Sequence, residues 1–344
     1  MSSESLVFSH QRETVLALSK YFTHLDVYSA ESSQETVPAN VRVFSLPWKI
    51  KSPIRNSITI LKTLFPILIK NRNCVVFTHM VDVHAAIVSP LTWILRIPHF
   101  FWYAHANNSR YLFWSSFFVS KIVSSTQGSC NLKVNKRKIV YINQGIDPKL
   151  FPFRLPTKSL SRKILYYGRL DQSKNIHLFP KLMEILETKT TSYGIDTYGD
   201  STTLESKNYI SNIKLNLKVI PSRSHITFNG PINRATISQV ASDYGTFLNL
   251  FSGSLDKTLI EATFLGLPVV TWNREYCFQF GTWSKDPVFE SLEFIQRELE
   301  FISAMPLADL KMELLQRLRF AQNHHSFSGW IDRLVSVIRR DETQ

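Results

Sequence analysis

The sequence predicts an α/β protein with two doubly wound parallel sheets. Short β-rich segments alternate with segments of helical length, a pattern typical of parallel sheets covered by helices on both faces. The chain has 344 residues, more than the roughly 250–300 that a single hydrophobic core usually serves. Its 44% hydrophobic and 19% charged residues are typical of a globular protein.

The first half contains seven β-rich segments and four helical ones. The predicted strands are SLVFS at 5–9, and 24–29, 41–47, 74–80, 99–105, 121–126 and 138–143; the predicted helices are 13–22, 55–71, 83–97 and 109–120. Residues 85–104 are strongly apolar but contain Arg96, Pro90 and Pro98. A spanning helix needs ~20 mostly apolar residues with few charges, so we expect a helix followed by a strand, with a membrane span as the alternative.

A segment rich in proline and charge at 145–163 interrupts the alternation and predicts a domain boundary. We therefore divide the chain into residues 1–150 and 151–324, with a further helix at about 325–340. Beyond the boundary, strands are predicted at 163–168, 193–199, 225–230, 247–252 and 267–272, and helices at 179–188, 235–243 and 257–266. From Leu307 the chain is predicted to be helical, with a break near 324–329.

Positive charge is concentrated in the first half. Residues 1–155 carry 18 Lys+Arg against 7 Asp+Glu, whereas residues 156–344 carry 22 against 20. A basic domain attracts nucleic acid, anionic lipid or phosphorylated substrates. Nucleic-acid binding favours aromatic residues interleaved with a basic stripe, and here the aromatics follow the core pattern of strands and helices. We expect no nucleic-acid partner and an association with an anionic membrane surface, since core packing does not explain the charge.

Cysteine usage and the start of the chain bear on location and metals. Cys74, Cys130 and Cys277 form no zinc-type spacing and are odd in number, which favours a reducing compartment. The first 16 residues have charges where a secretory signal has its apolar segment. No Asp-x-Asp motif occurs. We expect a cytoplasmic protein without a metal site.

The segment GRLDQSKN at 168–175 follows a predicted strand and is expected to open a helix. Gly168 would let the backbone approach a ligand, and a helix N-terminus favours an anion. Arg169 and Lys174 have the chemistry to clamp a diphosphate, the first through its fork and the second as a point charge. The alternative is a basic surface turn without a ligand.

The segment SGSLDKTLIEA at 252–262 joins a small-residue loop to a predicted helix. The first N–H groups of that helix would be open to a phosphate. Glu261 lies among apolar neighbours, where a carboxylate is costly without a partner, and a ribose diol is one candidate. The alternative is a glutamate on an exposed face, or one that caps another backbone segment.

With YGD at 198–200, HITFNGPI at 225–232 and GLPVV at 266–270, these motifs resemble family 4 glycosyltransferases in order and spacing. WYAH at 102–105, IVSST at 122–126 and NQGID at 143–147 match in outline, and the segment at 324–338 resembles the family's closing helix. The resemblance implies the GT-B architecture: two Rossmann-like domains across a cleft, with the helix at about 325–340 returning to complete the first, acceptor domain.

The resemblance also implies roles for individual residues. Arg169 and Lys174 match the basic pair on the donor diphosphate, and His105 matches a histidine that faces the donor sugar at the reaction centre; these three are the expected catalytic residues. Glu261 matches the glutamate that holds the ribose. The other expected donor-binding residues are Gly168, Gly253, Ser254, Leu255, Asp256, Lys257 and Thr258 around the phosphates, and Pro231 and Ile232 at the base.

The activity implied by the resemblance is a retaining, metal-independent hexosyl transfer that needs no cofactor. The donor would be a UDP- or GDP-sugar and the acceptor a saccharide or a lipid-linked one, in surface polysaccharide synthesis. We would place this activity in the cytoplasm or at the inner face of the cytoplasmic membrane. Lys174→Ala should then abolish most turnover and leave the fold intact.

Two departures from the family pattern keep other functions open. Gly253 stands where the family has its first motif glutamate, which contacts the donor sugar, and FSHQRET at 8–14 lacks the glycines of the family's first turn. A non-catalytic homologue acting as partner or scaffold is therefore one alternative. A nucleotide-sugar epimerase of the same fold is another, although acid–base carboxylates are not evident, and a nucleic-acid-binding module is the third.

Overall fold

The structure is a computed structural model that describes residues 9–30, 36–46, 48–49, 52–187, 192–217 and 225–342. The chain forms two compact units. The first comprises Met1–Asn143 and Ser328–Gln344, and the second comprises Gln144–Phe327. The second unit is thus an insertion between two parts of the first.

In the described residues, the first unit has two parallel sheets. β1 (Leu25–Ser29) pairs with β2 (Val41–Ser45), and a four-stranded sheet has the order β3-β4-β5-β6. Its strands are β3 (Val76–His79), β4 (His99–Trp102), β5 (Lys121–Ser124) and β6 (Ile139–Tyr141), all parallel. The helices are α1 (Ser9–Leu18), α2 (Pro53–Lys70), α3 (Asp82–Ile94), α4 (Arg110–Phe118) and, after the second unit, α12 (Phe327–Glu342).

The second unit is a five-stranded parallel sheet of order β11-β10-β7-β8-β9. The strands are β7 (Lys163–Tyr167), β8 (Gly194–Tyr198), β9 (His225–Phe228), β10 (Thr246–Asn249) and β11 (Val269–Thr271). The helices are α5 (Phe179–Leu186), α6 (Leu204–Leu217), α7 (Arg234–Val240), α8 (Lys257–Leu265), α9 (Arg274–Phe280), α10 (Leu292–Ala304) and α11 (Leu307–His325). The strand order reverses between β7 and β10, which is the switch point where open α/β sheets bind ligands.

Both faces of the second sheet are buried, as a parallel sheet requires. Successive side chains of a strand point to opposite faces. Ile164 and Tyr166 of β7 accordingly belong to one core cluster, while Leu165 and Tyr167 belong to another. Helices therefore cover both sides of β7, and its carboxyl end is the part open to a ligand.

The helix α12 packs into the first unit through one apolar face. Trp330, Ile331, Leu334, Val335 and Ile338 are all buried. The Trp330 ring meets Trp102 edge-on at 5.0 Å, and Arg333 donates from Nε to the Ile142 carbonyl at 2.9 Å. α12 thus supplies a substantial share of that unit's core.

The predicted α/β class and most predicted elements are confirmed. Residues 85–104 contain most of α3 followed by β4, and in the described part of the chain no helix is long and apolar enough to cross a membrane. The strand predicted at 5–9 lies outside the described residues except for Ser9, as does Phe8 of the turn predicted at 8–14. The prediction of a turn is wrong for residues 9–14, which belong to the helix α1. The helices α6, α9 and α10 were not predicted; α6 buries only Ser206, Ile210 and Ile213, which gives little periodic signal.

Candidate functional site

The candidate site lies at the carboxyl ends of β7 and β10, on either side of the switch point. Two loops leave these ends, 168–178 after β7 and 250–256 after β10. The predicted diphosphate and ribose residues of the second unit are on these loops or on α8, which follows the second one. The fold therefore brings together residues that are about 80 positions apart in the sequence.

The turn after β7 is tightly fixed. Gly168 has φ +149°, in the region that favours glycine. Its N–H donates to the Tyr198 carbonyl at 3.0 Å, and the Tyr166 hydroxyl donates to the Arg169 carbonyl at 2.8 Å. The Arg169 side chain itself is 68% exposed and lies 3.5 Å from an Asp171 carboxylate oxygen. Its guanidinium can therefore move toward a ligand at little cost.

This turn does not open a helix directly, contrary to the expectation from the sequence. Two short 3₁₀ turns, Gln172–Lys174 and Ile176–Leu178, intervene, and α5 begins only at Phe179. Asn175 adopts a left-handed conformation with φ 55°, which interrupts helical geometry. The N-terminus of α5 is therefore displaced from the loop that carries Arg169 and Lys174.

Lys174 is buried and ion-paired. Its Nζ lies 2.6 Å from Asp256 Oδ2, and the two side chains are 7% and 14% exposed. The same Nζ sits 3.7 Å from the centroid of the Phe251 ring. An ammonium with three donors uses one on Asp256, so a buried ion pair joins the loops after β7 and β10.

The Asp256 carboxylate accepts hydrogen bonds from Lys174, Asn249 and Thr258. Burial raises its pKa, but Lys174 and hydrogen bonds from Lys174, Asn249 and Thr258 outweigh the burial, so the net pKa lies below the usual value. Asn249 donates from Nδ2 to Asp256 at 3.1 Å and to the Thr258 hydroxyl at 3.1 Å. The carboxylate stays ionised because each partner favours the charged form.

Asp256 also serves as the N-cap of α8. Its Oδ1 accepts from the Thr258 N–H at 3.3 Å, and its carbonyl accepts from the Leu259 N–H at 3.2 Å. These amides, expected from the sequence to be open to phosphate, are therefore engaged within the protein. Lys257 and Thr258, at the start of the helix, are half-buried, as are Gly253 and Ser254 before it, while Leu255 is buried.

Two asparagines that the sequence reasoning missed hold the loop after β10. Asn175 donates to the Leu250 carbonyl at 2.8 Å. Asn273, fully buried, directs Nδ2 at the carbonyls of Phe251, Gly253 and Ser254 at 3.0, 3.1 and 3.3 Å. Its Oδ1 meanwhile accepts from the Tyr276 N–H as the N-cap of α9. The glycine, proline, asparagine and serine residues that mark turns do not reveal such a contact, because Asn273 lies some 20 residues beyond the loop.

Glu261 is buried on α8 with an incomplete set of partners. It is 2% exposed, and Arg234 Nη2 lies 3.2 Å from its Oε1. Among the described residues Oε1 has no partner that meets hydrogen-bond geometry. Burial raises the pKa of Glu261, with Arg234 and Lys257 opposing the rise. A buried carboxylate oxygen lacking a donor can accept one from a ligand hydroxyl.

The predicted base-binding residues, Pro231 and Ile232, come just before Arg234 in the sequence, and Arg234 is the ion-pair partner of Glu261. Pro231 is exposed and Ile232 is half-buried, in the loop between β9 and Arg234, the first residue of α7. The Gly230 carbonyl accepts from the Gly199 N–H at 2.7 Å. A Cβ on Gly199 would lie 1.9 Å from the Gly168 carbonyl oxygen, so only glycine lets the loops after β7, β8 and β9 approach this closely.

The Phe251 ring occupies the space beside Gly253. A Cβ built on Gly253 would lie 2.1 Å from Phe251 Cζ. Any larger residue here would require the ring to turn, and the ring is the one beneath the Lys174 ammonium. The absence of a side chain at Gly253 therefore leaves the space that the Phe251 ring occupies.

His105 belongs to the first unit. It is exposed in the loop after β4, and its ring meets that of Tyr103 edge-on at 5.7 Å. Within the described ranges, no group of three or more His, Cys, Asp or Glu side chains could hold a metal ion.

Comparison with known proteins identifies the fold. No protein-family model and no curated protein matches the sequence. A glycosyltransferase from Rickettsia africae ESF-5 matches with TM-score 0.73 at 13% identity, over 99% of this chain and 96% of that one. Sucrose-phosphate synthase from Thermosynechococcus elongatus matches with TM-score 0.72 at 13% identity, over 98% and 94%.

A third match is HepE from Anabaena in complex with UDP-glucose, with TM-score 0.73 at 11% identity, over 99% of this chain and 98% of that one. The similar structures are GT-B glycosyltransferases with two Rossmann-like domains, so the predicted fold class is confirmed. At 11–13% identity the likeness establishes the fold.

Proposed function

We propose that this chain is a glycosyltransferase that moves a sugar from a nucleoside diphosphate sugar to a saccharide or lipid-linked acceptor. The observation that carries the proposal is that the loop with Arg169 and Lys174 meets the N-terminus of α8, the helix that carries Glu261, through the 2.6 Å contact of Lys174 with Asp256. An exposed cation, a buried cation and a buried carboxylate oxygen lacking a hydrogen-bond partner suit a diphosphate joined to a ribose. The fold shared with structures that hold UDP or UDP-glucose supports it.

In the proposed reaction, Arg169 and Lys174 stabilise the negative charge that grows on the leaving diphosphate. The α8 N-terminus adds its dipole near the same phosphates. Glu261 accepts from the ribose hydroxyls, and Pro231 and Ile232 pack against the base. His105 of the first unit supports the reacting sugar. No metal enters this scheme, because the cations of the chain supply the counter-charge.

The finer assignments follow from the resemblance to family 4 and belong to the same proposal. They are retention of anomeric configuration, a UDP- or GDP-linked hexose, a role in surface polysaccharide synthesis and a cytoplasmic location. The leaving phosphate and the acceptor hydroxyl lie on the same face of the sugar in this scheme. A phosphate oxygen can therefore take the acceptor proton, as retention without a covalent intermediate requires.

The experiment is a thermal-shift panel of UDP, GDP and their common sugar conjugates, followed by turnover with the conjugate that binds. A ligand at 100 times its Kd adds about 2.7 kcal/mol to the stability of the protein that binds it. We expect one base to give a shift that Arg169→Ala reduces and the matched exposed variant Lys207→Ala does not. A well-folded protein that responds to no nucleotide contradicts the proposal.

A non-catalytic nucleotide-binding homologue is the second candidate, and Gly253 favours it. The family's sugar-contacting carboxylate is missing, and the Phe251 ring fills the space beside the glycine. Such a protein would show the nucleotide shift but neither transfer nor hydrolysis of any sugar conjugate. Transfer of sugar to any acceptor would exclude it.

A further inference from the structure

The first unit carries an apolar stripe that faces solvent along α2. Ile54, Ile58, Leu61, Phe65 and Ile69 are 38–76% exposed. At 100° per residue they fall within a sector of about 80° of the helix surface. We call these five residues the α2 stripe. An ordinary surface helix turns such a stripe toward the core, whereas the buried side chains of α2 are Asn56, Ile60 and Leu68.

Basic residues border the stripe. Arg55 and Lys62 lie along one edge of it by the same helical geometry, and Lys70 and Arg72 follow at its end; all four are exposed. Among the described residues no carboxylate pairs with Arg55, Lys62 or Lys70 within salt-bridge distance. An exposed apolar stripe edged by Lys and Arg is the arrangement by which helices lie in a membrane interface.

A second exposed apolar group lies on α3 and α4. Trp93, Ile94, Phe113, Trp114 and Phe117 are 46–68% exposed; we call them the α3–α4 cluster. The half-buried Phe118 joins them, with its ring 5.8 Å from Trp93 and 4.9 Å from Trp114. Tryptophan is enriched where proteins meet the headgroup region of a bilayer.

The loop that follows places further positive charge beside this cluster. Lys138 donates from Nζ to the carbonyls of Ser116, Phe117 and Val119 at the end of α4. This holds the segment 133–138 against that end, where Lys133, Lys136 and Arg137 are exposed.

Both apolar groups belong to one layer of helices. The strands β3, β4 and β5 are neighbours in chain order, and right-handed crossovers therefore place α3 and α4 on the same side of the sheet. α3 packs against α4, and α2 packs against α3. The exposed side chains of these helices accordingly lie on the outer side of that layer.

The charge of this region selects the partner. From residue 36 to 146 the chain has 14 Lys+Arg and a single carboxylate, Asp82. We propose that the α2 stripe and the α3–α4 cluster dock the first unit on the interface of an anionic lipid bilayer. Apolar and tryptophan side chains enter the headgroup region, and the surrounding Lys and Arg contact the lipid phosphates. This inference is independent of the proposed donor site.

The test is sedimentation of the full chain with vesicles of phosphatidylcholine alone, or with about one third phosphatidylglycerol, at about 150 mM salt, where the Debye length is short. Wild type should bind the anionic vesicles and not the neutral ones. Arg55→Gln/Lys62→Gln should weaken binding by more than tenfold, at roughly fivefold per charge. Ile58→Ser/Phe65→Ser should weaken it by at least tenfold, since burial of such side chains is lost.

The matched control is Leu204→Ser/Lys207→Gln, which removes one exposed apolar and one exposed basic residue from α6 of the second unit. It should change vesicle binding less than twofold. Circular dichroism and the melting temperature verify that each variant folds, and the nucleotide shift reports the donor site separately. Equal binding to neutral vesicles, binding unaffected by the α2 variants, or no binding by folded wild type would each overturn the proposal, the last in favour of a protein partner.

Discussion

Arg169 and Lys174 of the candidate site differ in burial and in ion pairing, so their removal should have different effects on stability. Arg169 is exposed and weakly paired, whereas Lys174 neutralises a buried carboxylate at 2.6 Å. Removing one partner of a buried ion pair leaves an uncompensated charge. The expectation from the sequence that Lys174→Ala leaves the fold intact is therefore replaced by one of strong destabilisation.

We predict that Lys174→Ala lowers the free energy of unfolding by about 3–5 kcal/mol, measured by urea denaturation at neutral pH. Arg169→Ala should change it by less than about 0.5 kcal/mol while weakening nucleotide binding. The double variant Lys174→Met/Asp256→Leu, which removes both charges, should recover most of the lost stability. Equal stability of the two single variants would show that the Lys174 pair contributes nothing to the fold.

Glu261 should make stability depend on pH in the direction its raised pKa dictates. Because the pKa of Glu261 is raised on folding, the folded protein binds the carboxyl proton of Glu261 more tightly than the unfolded chain does. The stabilisation that results is complete at a pH below the pKa of Glu261 in the unfolded chain. It is lost as the pH rises through the pKa of Glu261 in the folded protein. Glu261→Gln removes this loss, because the amide cannot ionise.

We therefore predict that Glu261→Gln is at least as stable as wild type at pH 7, and that its advantage shrinks as the pH falls toward the normal range of a glutamate. Urea unfolding across that range measures the difference. Nucleotide affinity should fall about tenfold or more, the value of a hydrogen bond to a charged group. The exposed Glu205→Gln is the control, and an unchanged affinity in Glu261→Gln would remove this residue from the ribose site.

At the scale of elements, the loop after β10 depends on a residue in another segment. Asn273 caps α9 and holds three carbonyls of residues 251–254. Asn273→Ala should cost about 2–4 kcal/mol from the lost cap and loop contacts, and nucleotide affinity should fall as the loop loosens. Thermal unfolding with and without nucleotide measures both effects.

Asn233→Ala provides the comparison for that prediction. Asn233 caps α7 through the Ala235 N–H, and among the described residues its side chain has no hydrogen bond to the loop after β10. Its loss should cost only about 1 kcal/mol, the usual value of an N-cap. If the two variants behaved alike, the loop contacts of Asn273 would be energetically unimportant.

The elements show where sequence-based prediction succeeds and where it stops. The strands β3 to β6 and β7 to β11 were predictable, because buried parallel strands are short apolar runs separated by helical segments. The nearness of Lys174 to the start of α8 was also predictable, because both follow neighbouring strand ends. The pairing of Lys174 with Asp256, 82 residues apart, was not, since no local pattern records which carboxylate a buried lysine meets.

The same limit applies to Phe251 and Asn249. Both lie in or beside an apolar strand, and their composition suggests only core packing. Their roles under Lys174 and around Asp256 arise from the approach of two loops in space. The α2 stripe shows the converse, because its periodicity is visible in the sequence but the side that faces solvent is set by how α2 packs.

At the scale of the whole molecule, the first unit depends on a helix that follows the second in sequence. Trp330 is buried against Trp102 within that unit. We predict that Trp330→Ala destabilises the first unit by about 3–5 kcal/mol, while residues 144–327 keep their protection from hydrogen exchange. Hydrogen exchange followed by mass spectrometry resolves the two units.

Trp93→Ala is the matched control, since this tryptophan is 61% exposed. It should change stability by less than about 0.5 kcal/mol. Loss of protection throughout both units in Trp330→Ala would show that they unfold as one, against the prediction.

The insertion of the second unit also sets an order of events during synthesis. The Ile146 N–H donates to the His325 carbonyl at 2.9 Å, and the Phe327 N–H donates to the Ile146 carbonyl at 2.8 Å, so the two ends of the insertion are joined side by side. A ribosome releases residues 144–327 before α12, and these residues form a compact unit by themselves. The domain that begins first is therefore completed last. Until α12 emerges, the side of Trp102 that Trp330 covers in the folded protein has no such cover on the nascent chain.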